Sequence, residues 1–347
     1  MGCPMVDLKN LDLTLDTIDL FVDCFRANGI SLDPESVKWL YICNDTSRCV
    51  VNIAYDFTKS RVAGIYALTC LRFKVFDSQV LGATSIDTIT DKNYRRQGLF
   101  YRLALDVYDR ALAQGISIVH GFPNKNSVQG YRNKINYRMQ DPIPFLIRPL
   151  KARLSKYAQW LPDINFPVRK HKSPFVFIED GSGFPLDVNE IWRKFSEDIG
   201  VAVIRDKSFL EWRFCRKPNG GYRILHCRNT EGEYLGFIVF LIRPNSSGGY
   251  NSYIMDLMYP PSLPLVGKAL LDYAVSEISR EKVDFVMCLC YPHSPNFNIF
   301  RSRLFFRMPR FLAPSDNHFG YKVLDSSLER RIKRQDWYLS YADSDTV

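Results

Sequence analysis

A mixed α/β architecture built as two tandem copies is the fold class this sequence predicts, and three observations carry that reading. Strand-like runs rich in Val, Ile and aromatic residues feed helix-period segments in both halves of the chain, the order expected of α/β and mixed domains. The later half repeats the earlier one at a constant offset of 169 positions from Asp87 onward, matching Asp87 with Asp256, Gly98 with Gly267 and Tyr131 with Phe300. Within that repeat "YRNKINYRM" (131–139) stands against "FRSRLFFRM" (300–308). A register held that long marks a duplication.

The elements follow in order. Segments 15–28 and 34–43 read as helices, the second capped by Asp33 with Pro34 as its first residue. "VVNIAYDF" (50–57), "VAGIYALTCLRFKVF" (62–76) and residues 80–90 read as strands, and the last leads into the helix of "YRRQGLFYRLALDVYDR" (94–110). "ISIVHGF" (116–122) is a further strand and 126–135 a further helix. The echo begins again after the middle of the chain: Lys38-Trp39-Leu40-Tyr41 returns as Glu211-Trp212-Arg213-Phe214, and Gly64 as Gly236.

This organisation places a first domain at 1–150 and a degenerate copy at 173–325, with a C-terminal helix and an aromatic and acidic tail at 326–347. Between the domains, residues 151–172 carry Arg153, Lys156, Arg169, Lys170 and Lys172 and read as a solvated basic linker. A chain of 347 residues is long enough for two such domains.

Composition narrows the classes. Hydrophobic residues make up 46% and aromatics 14%, enough for filled cores, and a net charge of +9 favours anionic partners. Nucleic acid is not expected as a partner, because no zinc finger, RNP-like or basic-helix motif accompanies the charge. Runs such as Glu329-Arg330-Arg331-Ile332-Lys333-Arg334 read as solvated helix faces. The nine cysteines form no CxxC pair, so no metal is expected, and Cys288 and Cys290 would share one face of a buried strand. Reduced thiols suit the cytoplasm. "MGCPMVDLKN" has no apolar leader core and Val6 stands where a myristoylation signal wants Ser or Thr. "GFIVFLI" (236–242) is too short to span a bilayer.

One turn departs from the needs of folding. Arg95-Arg96-Gln97-Gly98-Leu99-Phe100 places two cations at a helix start, the positive end of the macrodipole, where they are unfavourable unless an anion joins them. The matching segment of the copy is Pro264-Leu265-Val266-Gly267-Lys268-Ala269, which keeps the glycine and loses the charges. The arginines therefore serve a ligand of the first copy. The turn has neither a Walker A pattern nor the three glycines of a dinucleotide fingerprint.

Its R-x-x-G spacing resembles instead the pyrophosphate loop of the GNAT superfamily, the acyl-CoA-dependent N-acetyltransferases. "GFPNKNSVQGYRNKINY" (121–137) is similar to the later part of the same core, with Asn124, Ser127 and Tyr131 at its Asn, small-residue and Tyr positions. Phe100 stands where the family commonly has a small residue, and Asn136-Tyr137 where Gly-Phe is usual. The pattern is also similar to GNAT proteins found with bacterial surface-polysaccharide genes.

The resemblance implies two GNAT-like domains, each a twisted, mostly antiparallel sheet whose central strands, here 84–90 and 116–122, splay apart. It implies acetyl-CoA, or another acyl-CoA, as cosubstrate. Backbone near Ile89 and Thr90 would hold the pantetheine arm, and Arg95, Arg96, Gln97, Gly98, Leu99, Phe100 and Tyr101 would surround the pyrophosphate, with Asn124 and Ser127 nearby. An amine of a small acceptor, with amino sugars and nucleotide-sugars among the candidates, would attack the thioester directly. Tyr131 would be the general acid that protonates the departing thiolate. Asp87 and His120 are the two candidates for the base. Asp256 persists in the copy, whereas His120 is replaced by Leu289. A non-catalytic CoA- or sugar-binding tandem module is the alternative. The tail "RQDWYLSYADSDTV" has two readings, a cap on the second core or a wall of the acceptor cleft.

Overall fold

The computed structural model describes residues 8–152, 163–168, 173–246, 248–309, 318–328 and 332–344. The chain forms two units, one running to Pro142 and regaining a late segment that ends at Ile332, the other running from Ile143 and regaining the stretch from Lys333.

The earlier unit begins with β1 (Leu8–Leu11), α1 (Ile18–Ala27), α2 (Pro34–Tyr41), β2 (Cys49–Asp56) and β3 (Arg61–Val75). It continues through β4 (Ser78–Thr90), α3 (Leu99–Ala113), β5 (Ile118–Gly121), α4 (Val128–Asn133) and β6 (Arg138–Gln140). The other unit holds β7 (Phe145–Pro149), β8 (Lys151–Ala152), β9 (Ile164–Asn165), β10 (Val176–Glu179), α5 (Val188–Phe195), β11 (Val201–Val203) and α6 (Lys207–Leu210). Then come β12 (Arg223–Arg228), β13 (Tyr234–Pro244), β14 (Tyr250–Met258), α7 (Pro264–Arg280), β15 (Val283–Leu289), α8 (Phe297–Ser302) and β16 (Phe306–Arg307). The late strand β17 (Phe319–Val323) returns to the first unit. As the sequence predicts, Asp33 caps α2 by accepting from the Glu35 and Ser36 N–H groups.

The two sheets share one plan. The first runs β1-β2-β3-β4-β5-β17-β6 and the second β10-β12-β13-β14-β15-β7-β16. Neighbours along both paths are antiparallel except β4–β5 and β14–β15, which are joined by the crossover helices α3 and α7, as a parallel pair requires. Helices α4 and α8 begin and end 169 residues apart. A Cβ on Gly64 would lie 3.1 Å from the Ile89 carbonyl, and one on Gly236 would strike the carbonyl of Met258, the residue 169 positions after Ile89. Both glycines exist because backbone passes there.

The plan also corrects the linear division of the chain. The sixth place in each sheet is filled from the other half of the sequence: β17 pairs with β5 and β6, while β7 pairs with β15 and β16. Residues 145–149 thus belong to the second sheet and 319–323 to the first. A short strand pairs through generic backbone groups, so its local sequence does not name its sheet. Part of the basic stretch is ordered as the β8–β9 ribbon. Arg153, Lys156, Arg169, Lys170 and Lys172 lie outside the described residues.

Among the described residues 326–344 there are 3₁₀ turns at Ser326–Leu328, Arg334–Asp336 and Tyr341–Asp343, and no α-helix. Trp337, Tyr338 and Tyr341 are buried within the second unit, because this segment is clamped by arginines. Arg205, wholly buried, binds Asp343 at 2.6 Å and Asp256 at 3.0 Å, and Arg213 donates to the Ala342 and Ser344 carbonyls. Asp343 is committed to Arg205.

The first sheet is cored on both faces. Phe21, Phe25, Val37 and Tyr41 of α1 and α2 pack on Ile53, Ile65 and Ala67. Leu99, Leu103 and Val107 of α3 pack on Tyr66, Leu68 and Ala83 with Tyr131 and Tyr137. Each valine, leucine, isoleucine or phenylalanine among them stabilises by about 1.5–3 kcal/mol on full burial. Cys288 and Cys290 are both buried free thiols. No helix of the described residues is long and apolar enough to cross a membrane.

Candidate active site

The parallel pair β4–β5 is registered only from Gly82↔Ile118 to Ser85↔Gly121. β5 ends there, whereas β4 continues to Thr90, still paired to β3 on its far side. Its last residues therefore have no ladder partner on the β5 side. A bulge sits at this departure: Ala67 faces Ile86 but Ile65 faces Ile89, and Asp87 takes a φ of 53°. The Thr90 carbonyl accepts from Arg95 Nε at 3.3 Å. Thr88, which sequence reading passed over, has a buried Oγ1 with no hydrogen bond. The Ile89 carbonyl instead lies over Gly64 on the β3 side.

The turn after β4 is anchored from beneath. Asp91 N–H donates to the Ala63 carbonyl at 3.0 Å and its carboxylate caps Asn93. Buried Tyr94 donates to Asp56 Oδ2 at 2.6 Å. Above these anchors Arg95, Arg96, Gln97 and Gly98 are exposed, with φ of 63° at Arg96 and 71° at Gly98. Gly98 in this left-handed conformation opens α3, and its carbonyl accepts the N–H groups of Tyr101 and Arg102. The N–H groups of Gly98, Leu99 and Phe100 precede the first intrahelical bond, the kind of helix end to which anions bind. Leu99 itself is buried, and Tyr101 is 42% exposed. Gly267 of the copy is a glycine for another reason, since it lies inside α7 against the ring of Tyr259.

Tyr131 projects from α4 to the point where the strands part. Its hydroxyl lies 2.8 Å from Ser85 Oγ, on the last paired residue of β4. Ser85 donates to Tyr66 at 3.3 Å, the Tyr66 and Tyr108 hydroxyls bond each other, and Tyr108 donates to Tyr137 at 3.2 Å. All five residues are buried, and burial pushes the phenols of Tyr66, Tyr108 and Tyr137 well above the ordinary tyrosine range. Phe100, the bulky departure in the turn, packs its ring on Tyr66 and Tyr131, each at 5.8 Å between centroids, and lies against Gly130.

The other expected residues are placed differently. His120 is wholly buried, with Nε2 2.6 Å from Thr84 Oγ1 and its ring among Phe73, Phe122 and Phe319. Thr84 and His120 are paired one residue before Ser85 and Gly121, so strand alternation turns them to the sheet face opposite Tyr131. His120 thus lies on the sheet face opposite Tyr131, which follows from register alone. Asp87 lies in the bulge and accepts from Tyr41 at 3.0 Å. Asp256, its counterpart, accepts from Tyr338 at 2.5 Å. Asn124 uses its Oδ1 to accept the Asn126 and Ser127 N–H groups, and Ser127 Oγ turns back to Asn124, so this pair shapes the start of α4.

In the second unit the corresponding strand edge is filled by the chain itself. Asn296, at the position of Ser127, donates through Nδ2 to the Leu257 carbonyl at 2.9 Å, and Leu257 is the counterpart of Thr88. Asn296 also donates to the Tyr338 hydroxyl.

No family model matches the sequence, and no curated protein is similar to it. Solved structures are. A GCN5-related N-acetyltransferase from Anabaena variabilis superposes with a TM-score of 0.63 at 12% identity, over 92% of this chain and 74% of that one. The fold is that of the GCN5-related N-acetyltransferases. N-myristoyltransferase of Saccharomyces cerevisiae, solved with bound myristoyl-CoA, follows with a TM-score of 0.59 at 12% identity, over 92% of this chain and 79% of that one. A probable N-acyltransferase from Enterococcus faecalis gives 0.57 at 10% identity, over 91% and 73%.

Proposed function

We propose that the first unit is an acyltransferase that moves an acetyl group from acetyl-CoA to an amine of a small acceptor, with amino sugars and nucleotide-sugars the first class to test. The observation that carries the reading is the meeting of three features at one strand edge. These are the unpaired end of β4, the arginine turn at the start of α3, and the Tyr131 hydroxyl held where β4 and β5 part. The likeness to solved acyltransferases supports it at the level of fold.

In this reading Arg95, Arg96 and Gln97 join the N–H groups of Gly98, Leu99 and Phe100 on the pyrophosphate. The open edge at Thr88 and Thr90 pairs with the pantetheine amides as an added strand would. The amine attacks the thioester carbonyl, the C–N bond forms and the C–S bond breaks. Tyr131 gives its proton to the sulfur, the amine loses one to solvent, and Tyr131 is reprotonated from solvent. Asp87 is the base candidate that stands on the open stretch of β4.

A thiol-release assay over amines, amino sugars and nucleotide-sugars, run with acetyl-CoA and with myristoyl-CoA, tests the proposal. Acceptor-dependent release of CoA supports it. No release from either thioester, together with no thermal shift by either, overturns it.

A further inference from the structure

The hydroxyl chain behind Tyr131 has a direction. Ser85 donates to Tyr66, and Tyr108 donates to Tyr137. Each hydroxyl owns one proton, so the remaining links follow: Tyr131 donates to Ser85 and Tyr66 donates to Tyr108. With those two directions, the protons of the four links point away from the strand edge, leaving the Tyr131 lone pairs on its side.

The second unit is an internal control for what this chain costs the fold. Ser85 and Tyr131 are replaced at the constant offset by Ile254 and Phe300. Tyr66, two residues after Gly64, is matched by Ile238, two residues after Gly236. The constant offset sets Tyr137 against Phe306, which is exposed; the contact of the Tyr131 and Tyr137 rings, 4.8 Å between centroids, is made in the copy by Phe300 with the preceding residue, Phe305, at 5.2 Å. Ile254, Phe300, Ile238 and Phe305 are buried and apolar. Tyr108 falls on Glu277, which instead pairs with Arg280 on α7. The plan is therefore built without the hydroxyls, and burying five of them is favourable only if each is bonded.

We propose that Ser85, Tyr66, Tyr108 and Tyr137 are positioning residues for Tyr131: their hydroxyl chain fixes the phenol and, by turning over end to end, lets it face the cleft as a donor when the thiolate departs. This rests on the reading of Tyr131 as the acid. As Tyr131 releases its proton to sulfur, Ser85 turns to donate to the phenolate and Tyr66 to Ser85, so the charge is met by aligned hydroxyls that polarise one another. The reversal itself moves no proton from one oxygen to another; the one proton lost is that of Tyr131, which goes to sulfur and is replaced from solvent.

A double-mutant cycle in the full-length protein tests this, read as thiol release from acetyl-CoA with glucosamine as the amine. Ser85→Ala and Tyr66→Phe are each expected to lower kcat roughly tenfold with KM for acetyl-CoA unchanged, and Ser85→Thr to restore it. In a Tyr131→Phe background neither should lower the rate further. Equal losses in both backgrounds, or none in either, overturn the proposal. Proton NMR reads the chain without turnover: Tyr137→Phe, at the far end, is expected to shift the Tyr131 hydroxyl resonance, and an unmoved resonance overturns the coupling. Failure of the acid reading is separate, since it shows as full activity in Tyr131→Phe.

Discussion

Asn296 donates its side-chain amide to the Leu257 carbonyl at 2.9 Å, and by this bond the second unit occupies with its own chain the strand edge that the first unit leaves open. The same duplicated plan is thus closed in one copy and open in the other. Asn296 is buried, so Asn296→Ala leaves a carbonyl unpaired and should lower stability by about 1–3 kcal/mol in a urea melt. The thermal shift given by acetyl-CoA should not change. Loss of that shift would place cofactor binding in the wrong unit.

The arginine turn makes a sharper demand. Acetyl-CoA should raise Tm by preferential binding to the native state, and Arg95→Ala combined with Arg96→Ala should largely remove the rise. Dephospho-CoA should alter it less. A rise of wild-type size in the double variant would assign the pyrophosphate to other groups.

Tyr131→Phe makes the first copy like Phe300 of the second and removes one hydroxyl. With acceptor and acetyl-CoA saturating, kcat should fall by roughly 10²–10³ and acetyl-CoA affinity should hold. Steady-state kinetics decides this, and an unchanged kcat would mean that solvent protonates the thiolate.

Arg205 ties the end of the chain to β14. Burial opposes its charge, and Asp343 first, then Asp256, holds it. Arg205→Ala strands two buried carboxylates, an effect of about 3–5 kcal/mol when one partner of a buried pair is removed. Hydrogen exchange should show the loss in the second unit, with residues 337–344 exchanging early. Unchanged protection there would mean that the aromatic packing alone holds the segment.

Acid should act on the anchor of the turn. Hydrogen bonds from Thr58, and then from Tyr94, hold the Asp56 carboxyl below its usual range. A lowered folded value means stability that is fully present above the unfolded value of about 4 and is lost as pH falls through the folded one. Tm measured against pH should therefore drop less steeply on the acid side in Asp56→Asn than in wild type, from a lower plateau near neutrality. Parallel curves would show that Asp56 titrates alike in both states.

Much of this was legible in the chain itself. The offset of 169, the glycines at 64 and 236, the caps of α2 and the arginine turn are local or repetitive signals, and each appears where the residues place it. Strand and helix periods, turn residues and caps act over a few positions, so a linear reading reaches them.

Tertiary structure decided the rest. Which sheet receives residues 145–149 or 319–323 is set by distant backbone partners that any extended segment could satisfy. The separation of His120 from Tyr131 depends on pairing parity, because Ser85↔Gly121 places one face and Thr84↔His120 the other, and a shift of one residue would exchange them. Ser85, Tyr66, Tyr108 and Tyr137 carry no motif, since a hydroxyl shows its partner only after β3, β4, α3 and the start of β6 have met. The sequence determined the elements, the duplication and the charged turn through short-range preference, whereas register and packing decided which side chains face one another across the fold.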